Sequence, residues 1–339
     1  AGINRGGYWI LMVAVMSLHL NKEKSHSVIA IYALSTAAMS CVSLIDYFHV
    51  VDVPRFNEVY AEFLLDPKTS MKVGTSITGP FVSRSFLGPY LALAWPVPLM
   101  ELIHGRSKNP LKIALWAGAL VVLTLTIMLD YSRALYLTIG FAGLYALYTT
   151  DLRKMLRILL VVVPLFAIFS MVVMHKFPHE VEVLVSRVTS LGSGSATESG
   201  VFWRVETLEK TVNELLGNPQ GMGFTKVVVG EARLEMHSIF TEHLRPAGLL
   251  GLLLVALFMW PVLRSMIRRR VPMETMVLCA ALLGALAYGL AHSTQNMLVG
   301  WVVIGLLYYL SSQPNAVKPL QNPRLGTIDG SEIWVARRP

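Results

Sequence analysis

The sequence predicts an all-α integral membrane protein, a polytopic helical bundle of about nine or more spans with a long, partly helical outer segment. Three observations predict it. Hydrophobic residues make up 54% of the chain and charged residues 15%, with a mean hydropathy of +0.55, whereas ordinary soluble domains carry about 25% charged residues. The apolar residues fall in long runs, most of them close to the roughly 20 residues that a helix needs to cross a bilayer. The connections between runs alternate between basic and non-basic, the punctuation of a chain that crosses a membrane repeatedly.

The runs, in order, are 8–20, 27–45, 86–103, 113–129, 134–148, 158–174, 247–263, 276–291 and 297–311, the first being short. The connections 21–26, 104–112, 149–157 and 264–273, with the tail 312–339, are rich in lysine and arginine; "RSMIRRR" (Arg264 to Arg270) is the strongest case. Short basic loops stay cytoplasmic, which places all of these inside. The opposite face then receives 46–85, the Asp130–Arg133 turn, the segment 175–246 and "HSTQN" (His292 to Asn296). The whole of 1–339 reads as one polytopic membrane domain. An odd number of spans leaves the N-terminus outside, and the chain opens on Ala1, so the expectation is that native helices lie upstream. The net charge of +8 follows from this topology rather than from nucleic-acid binding. Cys41 and Cys279 both fall in apolar runs and read as small buried hydrophobes, not as a disulfide or metal ligands.

The outer segment 175–246 is long enough for structure of its own. In 201–216, "VFWRVETLEKTVNELL", Phe202, Val205, Leu208, Val212 and Leu215 recur at roughly helical spacing. This predicts an amphipathic helix lying on the membrane surface or on the bundle. Before it, "LGSGSATESG" (Leu191 to Gly200) reads as a flexible connection. After it, "GNPQGMGF" (Gly217 to Phe224) is a turn-dense break.

Charge at the outer face carries the functional signal. Asp130-Tyr131-Ser132-Arg133 interrupts an apolar stretch with few residues to spare for two spans, so Asp130 and Arg133 lie at the membrane edge or slightly inside it. Charges there are costly and are usually functional or paired; the plainer alternative is a tight turn with a snorkelling arginine. Arg84, Arg133, Arg204, Arg233 and Arg245, with His237, all fall on this face, where positive residues are normally thinned out. Such a set asks for an anionic partner. Arginine's planar fork suits phosphate or diphosphate, and at an outer leaflet the natural diphosphate is a lipid-linked one. His237 has three readings: an interfacial histidine of no special role, a metal ligand, or a general base. No His/Asp/Glu cluster with ligand spacing surrounds it. A phosphate-cradling glycine loop, a G-x-S-x-G motif and an Asp-x-Asp pair are all absent. The energy for any reaction must then come from the substrate, which a lipid diphosphate sugar supplies.

Four stretches resemble one known family. "GPFVSRSFLGPYLALAWPVPL" (Gly79 to Leu99), "DYSRALYL" (Asp130 to Leu137), "FWRVETLEKTVNELLGNPQGMGF" (Phe202 to Phe224) and "HSIFTEHLRPAGLLGLLL" (His237 to Leu254) follow in the right order on the outer face. Together they resemble the O-antigen ligase and polymerase family of bacterial membrane glycosyltransferases. Ser238 and Thr241 stand where that family often has asparagine and leucine, and its members usually have about twelve spans, more than are counted here.

The resemblance implies that Arg133 and Arg204 grip the diphosphate of an undecaprenyl-linked glycan, with Arg84 the next candidate. It places His237 beside the anomeric carbon as the base that takes a proton from the incoming hydroxyl. Arg233, Arg245 and His292 are further candidates, although an interfacial arginine is most often an anchor. Direct displacement inverts the anomeric centre, and no nucleotide, cofactor or metal is required. The implied partners are the undecaprenyl diphosphate-linked glycan, a lipid A-core acceptor in the ligase version, and membrane lipids, with the active site facing the periplasm. A polymerase would use another lipid-linked glycan as acceptor. A transporter or flippase is the alternative of a different class, but such proteins gather ionisable residues near the midplane, and the span centres here are almost free of charge.

Overall fold

A computed structural model describes residues 22–48, 50, 77, 84–105, 108–130, 132–151, 156, 171, 178, 182, 209–221, 227–229, 232–234, 239–268, 271–289, 303 and 305–307. Within these the chain is mostly helical. Helix α1 is Lys22–Tyr47, α2 Arg84–Ala94, α3 Pro96–His104, α4 Pro110–Asp130 and α5 Arg133–Thr149. A helix described over 209–217 follows as α6, then strands β1 (Val227–Val229) and β2 (Ala232–Leu234), α7 (Ile239–Ile267) and α8 (Met273–Gly289). The expected runs 8–20, 158–174 and 297–311 lie outside the described residues apart from isolated positions, as does the tail 312–339.

Among the described residues two helices are long and apolar enough to cross a membrane, His26–Tyr47 and Pro110–Asp130; Ala134–Thr149 and Met273–Gly289 are shorter apolar helices. The 26 residues of α1 span roughly 39 Å at 1.5 Å per residue, against a hydrocarbon thickness of about 30 Å. Only 33% of each long apolar window is buried, so most of their greasy surface faces outward. The same holds for α5 and α7, where Leu144, Leu250, Leu257 and Trp260 are each more than half exposed. Polar residues on these helices turn inward to their own backbone: Thr36 donates to the Tyr32 carbonyl (2.9 Å), Thr126 to Val122 (2.9 Å) and Ser265 to Pro261 (3.0 Å). That habit removes the need for water along the helix.

The run 86–103, expected as one span, is two helices meeting at Trp95. The backbone stays helical there, with the Trp95 amide on the Leu91 carbonyl at 2.9 Å. Pro96 has no N–H to offer Ala92, and Pro98 none for Ala94, so the hydrogen-bond ladder lapses over one turn. This bent pair runs through the core: Leu87, Leu91, Leu93, Val97 and Met100 have no exposed surface. Trp95 is tied to α4 by its indole N–H on Thr124 Oγ1 at 2.8 Å.

Helix α8 packs against α5 above all, and also against α2 and α3. It is buried on nearly every side, because Ala280, Ala281, Gly284, Ala285 and Ala287 let neighbouring backbones approach. Gly284 marks the closest approach. A Cβ there would stand 2.5 Å from the Ala92 carbonyl oxygen, the one left without a helical partner by Pro96, and 3.0 Å from Thr138 Cγ2. Thr138 in turn donates its hydroxyl to the Gly284 carbonyl at 2.9 Å.

Side-chain bonds fix which helix ends meet. His26 pairs with Glu101; His104 Nε2 lies 3.1 Å from Thr149 Oγ1 and 3.2 Å from Thr150 Oγ1; and Tyr148 donates to the Ile267 carbonyl at 2.6 Å. The start of α1 and the ends of α3, α5 and α7 therefore gather at one end of the bundle. These are the helix ends that flank the basic connections 21–26, 104–112, 149–157 and 264–273. At the opposite end the Ile77 amide donates to the Leu129 carbonyl (3.1 Å), and Gly88 abuts the Tyr288 hydroxyl.

Two features depart from the all-helical expectation. Strands β1 and β2 form a short antiparallel ribbon, with Val228 opposite Arg233. Three consecutive valines, poor helix formers and good strand formers, favour it. The span expected at 247–263 is the second part of a helix that begins at Ile239 and is broken at Gly248 (φ 62°, ψ −158°). Cys41 also departs from expectation: it is exposed on α1, while Cys279 is buried.

Candidate functional site

At the end of the bundle away from the basic connections α2 and α5 begin and α4 ends. Arg84 is the first residue of α2 and Arg133 the first of α5, and these two helices pack together. Ser132 precedes α5 in an extended conformation (φ −86°, ψ 117°), its carbonyl accepting from the Leu135 amide at 3.0 Å and from Tyr136 at 3.3 Å. Its hydroxyl makes no capping bond, so the helix opening is held by backbone alone. A cation on the first residue of a helix opposes the partial positive charge of the N-terminus, at a cost of about 0.3–1 kcal/mol each. Two helices bear that cost at the same end. Helix openings and arginine forks both favour anions.

Asp130, the last residue of α4, is completely buried. The sequence places it at the membrane edge or slightly inside, and the structure puts it wholly inside the protein. A carboxylate in such surroundings is held by partners or gives up its charge. It stands three residues before Arg133, at the point where the chain reverses.

The remaining candidates divide. Arg233 lies on β2, and Arg245 lies in α7 ahead of the break at Gly248. The second part of α7 runs from that break to Ile267, at the far end, so Gly248 and the residues before it lie toward the end that carries Arg84 and Arg133. His237, Arg204 and His292 lie outside the described residues. Helix α6, described over 209–217, overlaps the helix expected at 201–216: Leu215 is buried as expected, but Val212, expected on the same apolar face, is exposed, and Thr211 is buried instead. Among the described residues no three His, Cys, Asp or Glu side chains come together as a metal site.

At this end two turns distant in sequence meet. The turn after α6 touches α7 at its break, with the Leu249 amide on the Pro219 carbonyl at 2.9 Å. The local signal is "RPAG" (Arg245 to Gly248), a proline and a glycine two positions apart within a helix. Compared with family models, with curated proteins and with solved structures, the chain gives no match to any of the three.

Proposed function

We propose that this chain is a multi-pass protein of the bacterial inner membrane that works as an O-antigen ligase. It transfers a preassembled glycan from undecaprenyl diphosphate to a lipid A-core hydroxyl at the periplasmic face. The observation that carries the reading is the asymmetry of the bundle. The helix ends flanking the basic connections meet at one end, while α2 and α5 open on Arg84 and Arg133 at the other. Basic loops on the cytoplasmic side put the arginine end at the outer leaflet, where the diphosphate of a lipid carrier sits. The exposed apolar faces of α1, α4, α5 and α7 support burial in lipid, since contiguous apolar surfaces of this extent are rare on soluble monomers.

In this reading Arg133 and Arg204 hold the diphosphate, with Arg84 beside them. Their charge is worth most in the transition state, when the leaving diphosphate gains negative charge in a site shielded from water. His237 accepts the proton of the attacking hydroxyl; two neighbouring cations favour its neutral, basic form. Arg233, Arg245 and His292 remain candidates for contacts to the glycan. Displacement in one step inverts the anomeric carbon.

The test mixes purified protein in nanodiscs with undecaprenyl diphosphate-linked glycan and lipid A-core, with chelator present. Glycan-capped lipid A-core, lost in His237→Ala, is the expected product. If capping fails and the lipid-linked glycan lengthens instead, the protein is a polymerase. No product of either kind removes the enzyme reading.

A further inference from the structure

Helix α7 is two helices joined at a point that only glycine tolerates. Gly248, at φ 62° and ψ −158°, occupies a region essentially closed to residues with a Cβ. The residues before it prepare the break. Pro246 offers no N–H to the carbonyl of Glu242 and disfavours helical backbone at Arg245. In an unbroken helix the Leu249 amide would bond the Arg245 carbonyl. Here it reaches across to the Pro219 carbonyl, 30 positions back in the chain, at 2.9 Å.

Pro219 belongs to a tight turn that closes α6. The Asn218 amide donates to Glu214 (2.9 Å), the Gly221 amide donates to Asn218 (2.9 Å), and Gly221 sits at φ 88°. The turn fills the break without a gap. A Cβ on Gly248 would overlap the Pro219 carbonyl oxygen and stand 2.5 Å from the Gly221 nitrogen. Gly248 is buried beneath it. Two glycines with positive φ are therefore placed against each other from distant parts of the chain, and a side chain on Gly248 would collide with the turn that holds Gly221.

The two elements so joined are those that follow the outer candidates. Residues 239–247, the first part of α7, begin two positions after His237 and include Arg245; α6 is the continuation of the segment that starts near Arg204. We infer that the Pro219–Gly221 turn seated in the Gly248 break is a positioning device. It fixes the first part of α7 against the end of α6, the two elements into which the chain leads from His237 and from Arg204. Gly248 and Pro219 touch no reacting atom; they are positioning residues. The purpose rests on the transfer reaction proposed above, while the coupling of turn and break does not.

The experiment uses the full chain in nanodiscs and compares wild type with Gly248→Ala, Gly221→Ala, the double variant, and Gly140→Ala, where a Cβ meets open space. The first readout is amide hydrogen exchange. Gly248→Ala is expected to raise exchange about tenfold or more in both 214–221 and 244–250 while α5 and α8 hold their protection. Exchange that stays at the wild-type rate in 214–221 overturns the coupling. Should Gly248→Ala not fold, Gly221→Ala carries the same test, with a smaller rise expected in the same two segments.

The second readout is steady-state transfer from undecaprenyl diphosphate-linked glycan, scaled to the fraction of protein that binds undecaprenyl diphosphate. Misplacing a catalytic group by about 1 Å can cost on the order of 100-fold. Gly248→Ala is therefore expected to lower kcat by about tenfold to 100-fold with the donor KM nearly unchanged. The double variant is expected to be no worse than Gly248→Ala alone, because the turn is already displaced. An unchanged kcat per binding-competent molecule, alongside raised exchange, overturns the positioning role. A wild-type chain that transfers glycan to neither acceptor overturns the transfer reading and the positioning role with it; the exchange comparison then decides the coupling alone.

Discussion

The two ends of the bundle obey different rules. At the end near the basic connections, local chemistry agrees with the fold. Asn109 caps α4 with its side-chain oxygen on the Leu111 amide at 3.0 Å, and Pro110 takes the first helical position, where its missing N–H costs nothing. Histidine, threonine and tyrosine side chains close the helix ends onto one another. At the other end the helices start on cations, α4 finishes on a buried carboxylate, Ser132 makes no cap bond, and α7 is broken. Each of these is locally unfavourable. Natural chains keep such conflicts mainly where function requires them. Under the proposed function the contrast gives stability to one end and chemistry to the other, and substitutions can separate the two.

The largest effect is expected at the unfavourable end. Arg133→Ala and His237→Ala are each expected to lower transfer by on the order of 10²–10⁴-fold, the range for a lost charge clamp or general base. Their thermal unfolding in detergent should stay near that of the wild type. Arg133→Lys is not expected to rescue, because an ammonium lacks the fork that holds two phosphate oxygens. Near-normal transfer in the Arg133→Ala, His237→Ala double variant would remove the chemistry from this end.

The next effect belongs to the other end and has the opposite character. The Glu101 side chain is 2% exposed and His26 is its ion-pair partner. Lys112 and Glu274 add longer-range charge to the same place. Removing one member of a buried pair leaves the other buried without its counter-charge, at a cost of about 3–5 kcal/mol. With the His26 side chain 24% exposed, water screens part of that, and about 2 kcal/mol is the expected loss for His26→Ala. It should appear as a lowered unfolding temperature with transfer per folded molecule unchanged. A loss of transfer without a loss of stability would mean that the two ends are coupled.

Much of this contrast was legible in the chain. Runs of apolar residues marked α1, α4, α5 and α8, and lysine and arginine in the connections named the helix ends that the structure gathers together. The reversal at Asp130–Arg133 was legible because charge interrupts a hydrophobic run. What stayed hidden depends on distant residues. The division of 86–103 is announced by Pro96 and Pro98, but its setting against Gly284 is a three-helix event that no local pattern encodes. The β ribbon hides in a segment where strands are only three residues long. The seat of Pro219 in the α7 break joins two turn signals that look independent in sequence.

Between the two ends lies the packing centre, where smaller effects grade the comparison. Gly284→Ala puts a methyl against the Ala92 carbonyl, a backbone atom that cannot swing aside. Overpacking of this kind costs about 1–3 kcal/mol. Gly140→Ala on the neighbouring helix meets open space, and is expected to be neutral or slightly stabilising through helix propensity, by up to about 1 kcal/mol. Thermal unfolding of the pair distinguishes close approach from a general intolerance of larger residues.

The smallest expected effect is also the most specific. Thr138→Val keeps the shape of the side chain and deletes the hydroxyl that α5 gives to the Gly284 carbonyl at 2.9 Å. That carbonyl retains its own helical donor, so no buried acceptor is orphaned, and the same hydroxyl shares itself weakly with Ala134 at 3.4 Å. Interhelical bonds of this kind average about 0.6 kcal/mol in a membrane protein, because the unfolded chain in lipid also finds partners. Thr138→Val should therefore lower stability by about that amount, and by less in a Gly284→Ala background, where the helices are already forced apart. A loss well above about 2 kcal/mol would mean that α5 and α8 are held by this bond rather than by contact of small residues.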